Sequence, residues 1–384
     1  LNWAVTLAVE VIAGALIMKF WFPDVPAVVW SGIFIVVLFI LNYLSTRAYG
    51  EGEYIFASIK VGMVLLFLVL GVLLITGVIG GSSPGTSNWT TGDAPFVGGA
   101  GSVIAISMIA AFSFQGTELI GIAAGESENP HKAVPKAIHN VFWRILLFYI
   151  GTMIVIGFLL PYTDPSLLHT DVESVAVSPF TLALDRTGFP AAASLVNFVI
   201  LTAVLSGGNS GLYASTRMLY AMAEAGEAPK CFAKVNKRGV PINALLLTTA
   251  FGFLAFLSSL IGDGTAYQWL MQLSGMTGFV VWLGIAVCHY RFRRAFKAQG
   301  LSLDVLPYRA SCFPFGVYLA LILCTIVIVG QNYAAFTGSD VDWGGVVSTY
   351  IGIPVIFLFY LWYKIKYHTK LIPLTEIDLS KKDY

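Results

Sequence analysis

In the run Phe112-Ser113-Phe114-Gln115-Gly116-Thr117-Glu118, an amide, a glycine, a hydroxyl and a carboxylate follow one another between apolar stretches. Such a set can hold a small polar solute and move a proton. The surrounding apolar run, from about residue 99 to 124, is long enough for one membrane span, which takes ~20 residues. An acidic side chain at mid-depth costs at least ~2.5 kcal/mol, so its default reading is functional. Irregular backbone there survives only inside protein or along a wet cavity. The expectation is a broken helix whose two halves aim free N–H and C=O groups at a solute. Glu118 could load and release a proton as that site opens; the alternative is a carboxylate locked in a structural pair.

Other polar residues fall inside apolar blocks. Lys60 sits two turns into one, too deep to reach the headgroups easily, and could carry a coupling proton or supply a fixed positive charge. Glu10, among Ala8, Val9, Val11 and Ile12, could meet a cationic solute or serve as an internal hydrogen-bonding residue. Phe112 and Trp3 could close over a solute, although aromatics in spans also act as packing and interface anchors. Gly207 and Gly211 have the spacing of close helix packing, and Asn209 between them needs partners for its amide. Ser274-Gly275-Met276 reads as a packing or pocket-wall site. The cysteines Cys231, Cys288, Cys312 and Cys324 lack metal spacing, and the five histidines form no catalytic pair. With no Walker A run and no nucleophile–base set, the sequence argues against an enzyme, and no metal or cofactor is expected.

The elements that must position these groups are membrane spans. Of the 384 residues, 57% are hydrophobic and 11% charged, against roughly 25% charged in soluble domains. A net charge of +1 gives no reason to expect nucleic acid. Ten apolar blocks follow one another, at about 1–22, 28–45, 54–79, 99–124, 141–160, 189–223, 244–261, 267–289, 316–333 and 346–363. Alternate links are basic: Arg47; Lys132 and Lys136; Lys230, Lys234, Lys237 and Arg238; Arg291, Arg293, Arg294, Lys297 and Arg309. The tail after residue 363 is basic too, and polar enough to be expected to move freely. By the positive-inside rule these links and the C-terminus are cytoplasmic. Leu1 already lies in an apolar stretch, so the true N-terminus is expected to lie upstream.

Phe112 through Gly121, with Ala123-Ala124-Gly125-Glu126 and Asn129-Pro130, resembles the signature of the amino acid permeases of the amino acid–polyamine–organocation superfamily. Asn209 through Tyr220 is similar to the same family's long eighth helix, and the similarity runs over the whole chain. The resemblance implies an all-α polytopic membrane protein with the LeuT-like fold, two inverted five-helix repeats plus two extra helices, of which this chain holds the third to the twelfth. Residues 1–80 would then close the first repeat, 98–290 form the second around the break at 112–118, 316–364 the extra helices and 365–384 the tail. It further implies proton-coupled uptake of L-lysine across the bacterial inner membrane by alternating access. In that scheme Phe112 is the aromatic gate, and the backbone of Ser113, Phe114, Gln115, Gly116 and Thr117 receives the substrate's α-amino group. Glu118 and Lys60 couple the proton, Glu10 and Trp3 complete the substrate site, and Glu126 is an inner gate or a helix cap. The alternatives are a permease or exchanger for another basic amino acid, or a lysine sensor acting on a membrane partner through the acidic loop at Asp164 to Asp171.

Overall fold

Backbone amides in hydrocarbon must be satisfied within the segment, and a computed structural model shows how this chain complies. It describes residues 1–44, 46–81, 83–124, 129–168, 178–185, 192–306, 308–310, 312–332, 334–337, 341 and 343–379, among which there are helices and no strands. In order these are α1 (Asn2–Met18), α2 (Ala27–Leu44), α3 (Thr46–Ile75), α4 (Gly99–Phe114), α5 (Leu119–Ala124) and α6 (Pro130–Arg144). There follow α7 (Gly151–Leu159), α8 (Pro165–Leu168), α9 (Pro179–Asp185), α10 (Ala192–Glu224), α11 (Ile242–Gly252) and α12 (Ser258–Ile261). The last are α13 (Asp263–Ala298), α14 (Phe315–Gly330), α15 (Ala334–Thr337), α16 (Trp343–Tyr350) and α17 (Gly352–Tyr367). Six helical stretches among the described residues are long and apolar enough to cross a membrane, and α16 with α17, bent by 42°, makes a seventh. The apolar α1 and α14 are shorter, at 17 and 16 residues.

Several helices outrun the apolar blocks. The third begins at Thr46 and takes in Glu53, which the hydropathy pattern assigns to a link. The basic link containing Lys132 and Lys136 is itself helical, and it continues through a π-helical turn, Ile145–Ile150, into α7. At the other end of the chain, α13 carries on through Arg291, Arg293 and Arg294 to Ala298. Nor does the tail hang free as far as it is described: Gln299 donates to the carbonyls of Leu374 and Ile377 at 3.0 and 2.8 Å, and Arg291 to that of Ile372.

The chain divides into two units, residues 1–98 with 140–271, and 99–139 with 272–384. At the centre of the first is α1, apolar on every side apart from Asn2, Thr6 and Glu10 and buried along nearly its whole length, as a helix of that composition should be. It packs against α2, α10 and α11. The α10 face is made of small residues so that the backbones can close. A Cβ on Gly207 would come within 2.7 Å of Glu10 Oε1, and one on Gly211 within 3.0 Å of the Trp3 carbonyl. A second core joins Met63, Phe67 and Leu74 of α3 to Val155 and Leu159 of α7.

In the second unit, Phe279 of α13 and Cys324 of α14 are buried together under Trp282, Val327 and Ile328. Asn332 ties the loop after α14 to Gly345 and Thr349 of α16, at 3.0 and 3.1 Å. Gln272 at the head of this part of α13 accepts from Ser348, 2.8 Å away.

Two glycines of α3 give a paired test of this packing. A Cβ on Gly71 would meet Val155 Cγ1 at 2.2 Å, whereas one on Gly62 meets nothing within 4 Å. Gly71→Val should therefore cost ~1–3 kcal/mol by overpacking, while Gly62→Ala should be neutral or stabilising by up to ~1 kcal/mol from helix propensity. Thermal unfolding in detergent, read from the midpoints of both variants, checks the pair.

Candidate functional site

The backbone stops being helical where the four polar residues stand: α4 ends at Phe114 and α5 begins at Leu119. Gly116 turns the chain with φ +105°, a conformation that L side chains rarely adopt. Stopping the helix frees amides, and one of them is used at once. The Gly116 N–H donates to Glu118 Oε2 at 3.3 Å, with the Thr117 hydroxyl at 3.5 Å and the Trp282 indole N–H at 3.1 Å. The other oxygen, Oε1, is buried and has no hydrogen-bond partner among the described residues. A buried polar atom left in that state invites a proton or a donor from a solute.

The wall beside the break is one face of α13. Ser274, Gly278 and Trp282 recur every four residues, so they lie one above another. Gln115 reaches this face, donating to the Ser274 carbonyl at 3.1 Å and accepting from the Ser274 hydroxyl at 3.4 Å. Gly278 leaves it room, since a Cβ there would stand 2.5 Å from Gln115 Nε2. Ser274 and Met276 are wholly buried, in keeping with a pocket wall. Phe112 lies in the last turn of α4, and its side chain is outside the described part of the structure, as is Glu126 altogether.

The remaining candidates, Trp3, Glu10 and Lys60, belong to the first unit. Lys60 points into the protein and donates to Ser206 at 2.8 Å. The same hydroxyl donates to Glu53 Oε2 at 2.6 Å, and Asn209 donates to Glu53 Oε1 at 2.8 Å. Asn42 then donates to Asn209 Oδ1 at 2.8 Å, closing a chain of polar groups over α2, α3 and α10. Glu53, Arg144 and Glu10 are the charged groups that act on Lys60. Glu10 itself lies against Gly207 and Gly208, and the Trp3 ring lies against Gly211. The Asn209 amide thus finds two partners, and the small residues of α10 serve close packing.

Sequence reasoning missed Glu53, Asn42 and Trp282. The signal for Glu53 was present: it stands seven residues before Lys60, two helical turns away on the same face. Because Glu53 and Lys60 both bind Ser206, their substitutions should not add. Glu53→Ala and Lys60→Ala should each lower stability, and the double variant should lose less than the sum by on the order of 1–3 kcal/mol. A double-mutant cycle on unfolding midpoints measures that coupling, and strict additivity would show the two to be independent.

The amino acid permease family matches residues 1–373. The lysine-specific permease LysP of Escherichia coli strain K12 is 53% identical over 383 residues, covering 100% of this chain and 78% of that protein. LysP of Lactococcus lactis subsp. cremoris is 48% identical, covering 99% of this chain and 75% of its own length. The histidine permease HisP of the same Lactococcus strain is 46% identical over 383 residues, covering 100% of this chain and 80% of its own.

Proposed function

The chain belongs to the amino acid permease family, and on that premise we propose that it takes up L-lysine together with protons across the bacterial inner membrane. The observation that carries the reading is the carboxyl at the break. Glu118 has one oxygen held by an indole and a backbone N–H, and the other buried without a partner among the described residues. Protonation removes the charge that makes that second oxygen costly to bury, and a donor brought by the substrate satisfies it as a carboxylate. The carboxyl then changes state as the solute arrives and leaves, which is what coupling requires.

In this mechanism the carbonyl ends around Ser113 to Thr117 attract the substrate's α-ammonium group, because the C-terminal end of a half-helix carries partial negative charge. Phe112 closes over the solute, and Glu126 acts at the inner end. Lys60 supplies a positive charge held by Ser206 within reach of Glu53 and Glu10. Glu10 and Trp3, in the first unit, are further substrate-binding candidates, Glu10 as a carboxylate suited to an ε-ammonium group. A buried carboxylate made for that charge rejects neutral analogues, which leave it unpaired. Alternating access over the LeuT-like repeats carries the loaded site from one side to the other, and the basic links and C-terminus face the cytoplasm.

A second reading, a permease with broader basic specificity, is favoured by the 46% identity to a histidine permease. Competition of labelled lysine uptake by arginine, ornithine and histidine separates the two.

In proteoliposomes, an imposed inward proton gradient should drive accumulation of labelled lysine above its equilibrium level; accumulation indifferent to the gradient would defeat the coupling. Glu118→Gln, which keeps the shape and removes the titratable proton, should reduce gradient-driven uptake to the level of protein-free vesicles while lysine binding persists. Normal accumulation by that variant would remove Glu118 from the coupling role.

A further inference from the structure

Away from the break, the second unit holds a cleft of about 950 Å³ lined by Ile138 of α6, by α13 and by Leu306, Tyr308 and Ala310. Its α13 wall is one helical face, with Val281, Gly284, Ile285, Cys288 and Phe292 making it apolar up to its end, where His289 and Arg293 bring the polar groups. Arg293 stands at one end. Its guanidinium lies 4.7 Å over the Phe313 ring, and its Nε is buried with no hydrogen-bond partner among the described residues. Of the neighbouring arginines, Arg291 meets the Ile372 carbonyl, Arg294 lies over the Tyr290 ring, and Arg309 pairs with Asp304 at 2.7 Å. No carboxylate pairs with Arg293 among the described residues.

We propose that this cleft binds an anionic phospholipid, with the phosphodiester on Arg293 and an acyl chain along the α13 face. The dimensions favour a lipid over free phosphate. From residue 281 to residue 293 the helix rises roughly 18 Å at 1.5 Å per residue, against ~15 Å for half of the hydrocarbon core. The wall therefore runs the depth of one leaflet and ends in a cation where a headgroup phosphate lies. An apolar slot of that length has nothing to offer an inorganic anion, while arginine matches a phosphate by charge and by its planar donors. The leaflet is the one next to the basic links, where anionic lipids are attracted by such residues. The site rests on the chain spanning a membrane and is independent of which amino acid the protein carries.

Native mass spectrometry of the detergent-solubilised protein, titrated with dioleoyl phosphatidylglycerol, dioleoyl phosphatidylcholine or inorganic phosphate, tests it. The protein should prefer phosphatidylglycerol by at least about fivefold, the worth of one surface arginine. Arg293→Met should erase that preference, and Arg294→Gln should leave it unchanged. Gly284→Leu puts a side chain into open space, where a Cβ meets nothing within 4 Å; it should fold normally and weaken both lipids. Equal binding of the two lipids, an Arg293→Met variant that keeps the preference, or phosphate alone displacing phosphatidylglycerol would each overturn the proposal. Lysine uptake by the same variants reconstituted into proteoliposomes reads the transport proposal separately, since a protein that transports without headgroup preference refutes only the lipid site.

Discussion

A carboxyl group at the depth of Glu118 needs donors, and an unbroken helix has none to spare at mid-span. The interruption supplies them. Gly116 takes a backbone conformation that ends the helix, and its own N–H becomes free to meet the carboxylate. Around this one exchange the second unit is arranged. Trp282 brings the other strong donor, Gln115 anchors the turn to α13, and Gly278 is a glycine because Gln115 occupies the space a side chain would take. Among the described residues the donors reach one carboxylate oxygen and stop short of the other, so the acid is held in place with one oxygen left open.

The first unit solves a related problem in the opposite way. Lys60 places a positive charge on the inner face of α3, where the Ser206 hydroxyl accepts from it and is itself tied down by donating to Glu53. Ser206 binds both Lys60 and Glu53, and Asn209, held by Asn42, fixes the second Glu53 oxygen. Such a network is costly when one member is removed, because the remaining charges stay buried. It adds polar links to the apolar packing of three helices, so a change in the charge of Lys60 or Glu53 reaches α10 directly and α2 through Asn209.

Much of this was visible in the residue order. The apolar blocks, the interruption after Phe114 and the inward lysine all follow from the cost of polar groups in hydrocarbon. The misses have a common cause. Hydropathy reports where the bilayer ends, while helical hydrogen bonding continues into water as far as propensity allows. Hence α3 starts eight residues before its apolar run, which hid Glu53, and α13 runs on through arginines that look like a loop. The tail was misjudged for a different reason: Gln299 and Arg291 hold it by its backbone carbonyls, and no side-chain pattern marks which carbonyls will be used. The roles of Asn42 and Trp282 depend on contacts across more than a hundred residues of chain, which periodicity does not encode.

The central claim is that the carboxyl at the break changes its protonation when lysine binds. Infrared difference spectroscopy of the reconstituted protein reads this directly, through the carbonyl stretch of a protonated carboxylic acid. Adding lysine should change that band in the wild-type protein, and the change should vanish in Glu118→Gln. A lysine-induced band that survives the substitution, or binding with no carboxyl signal at all, would contradict it.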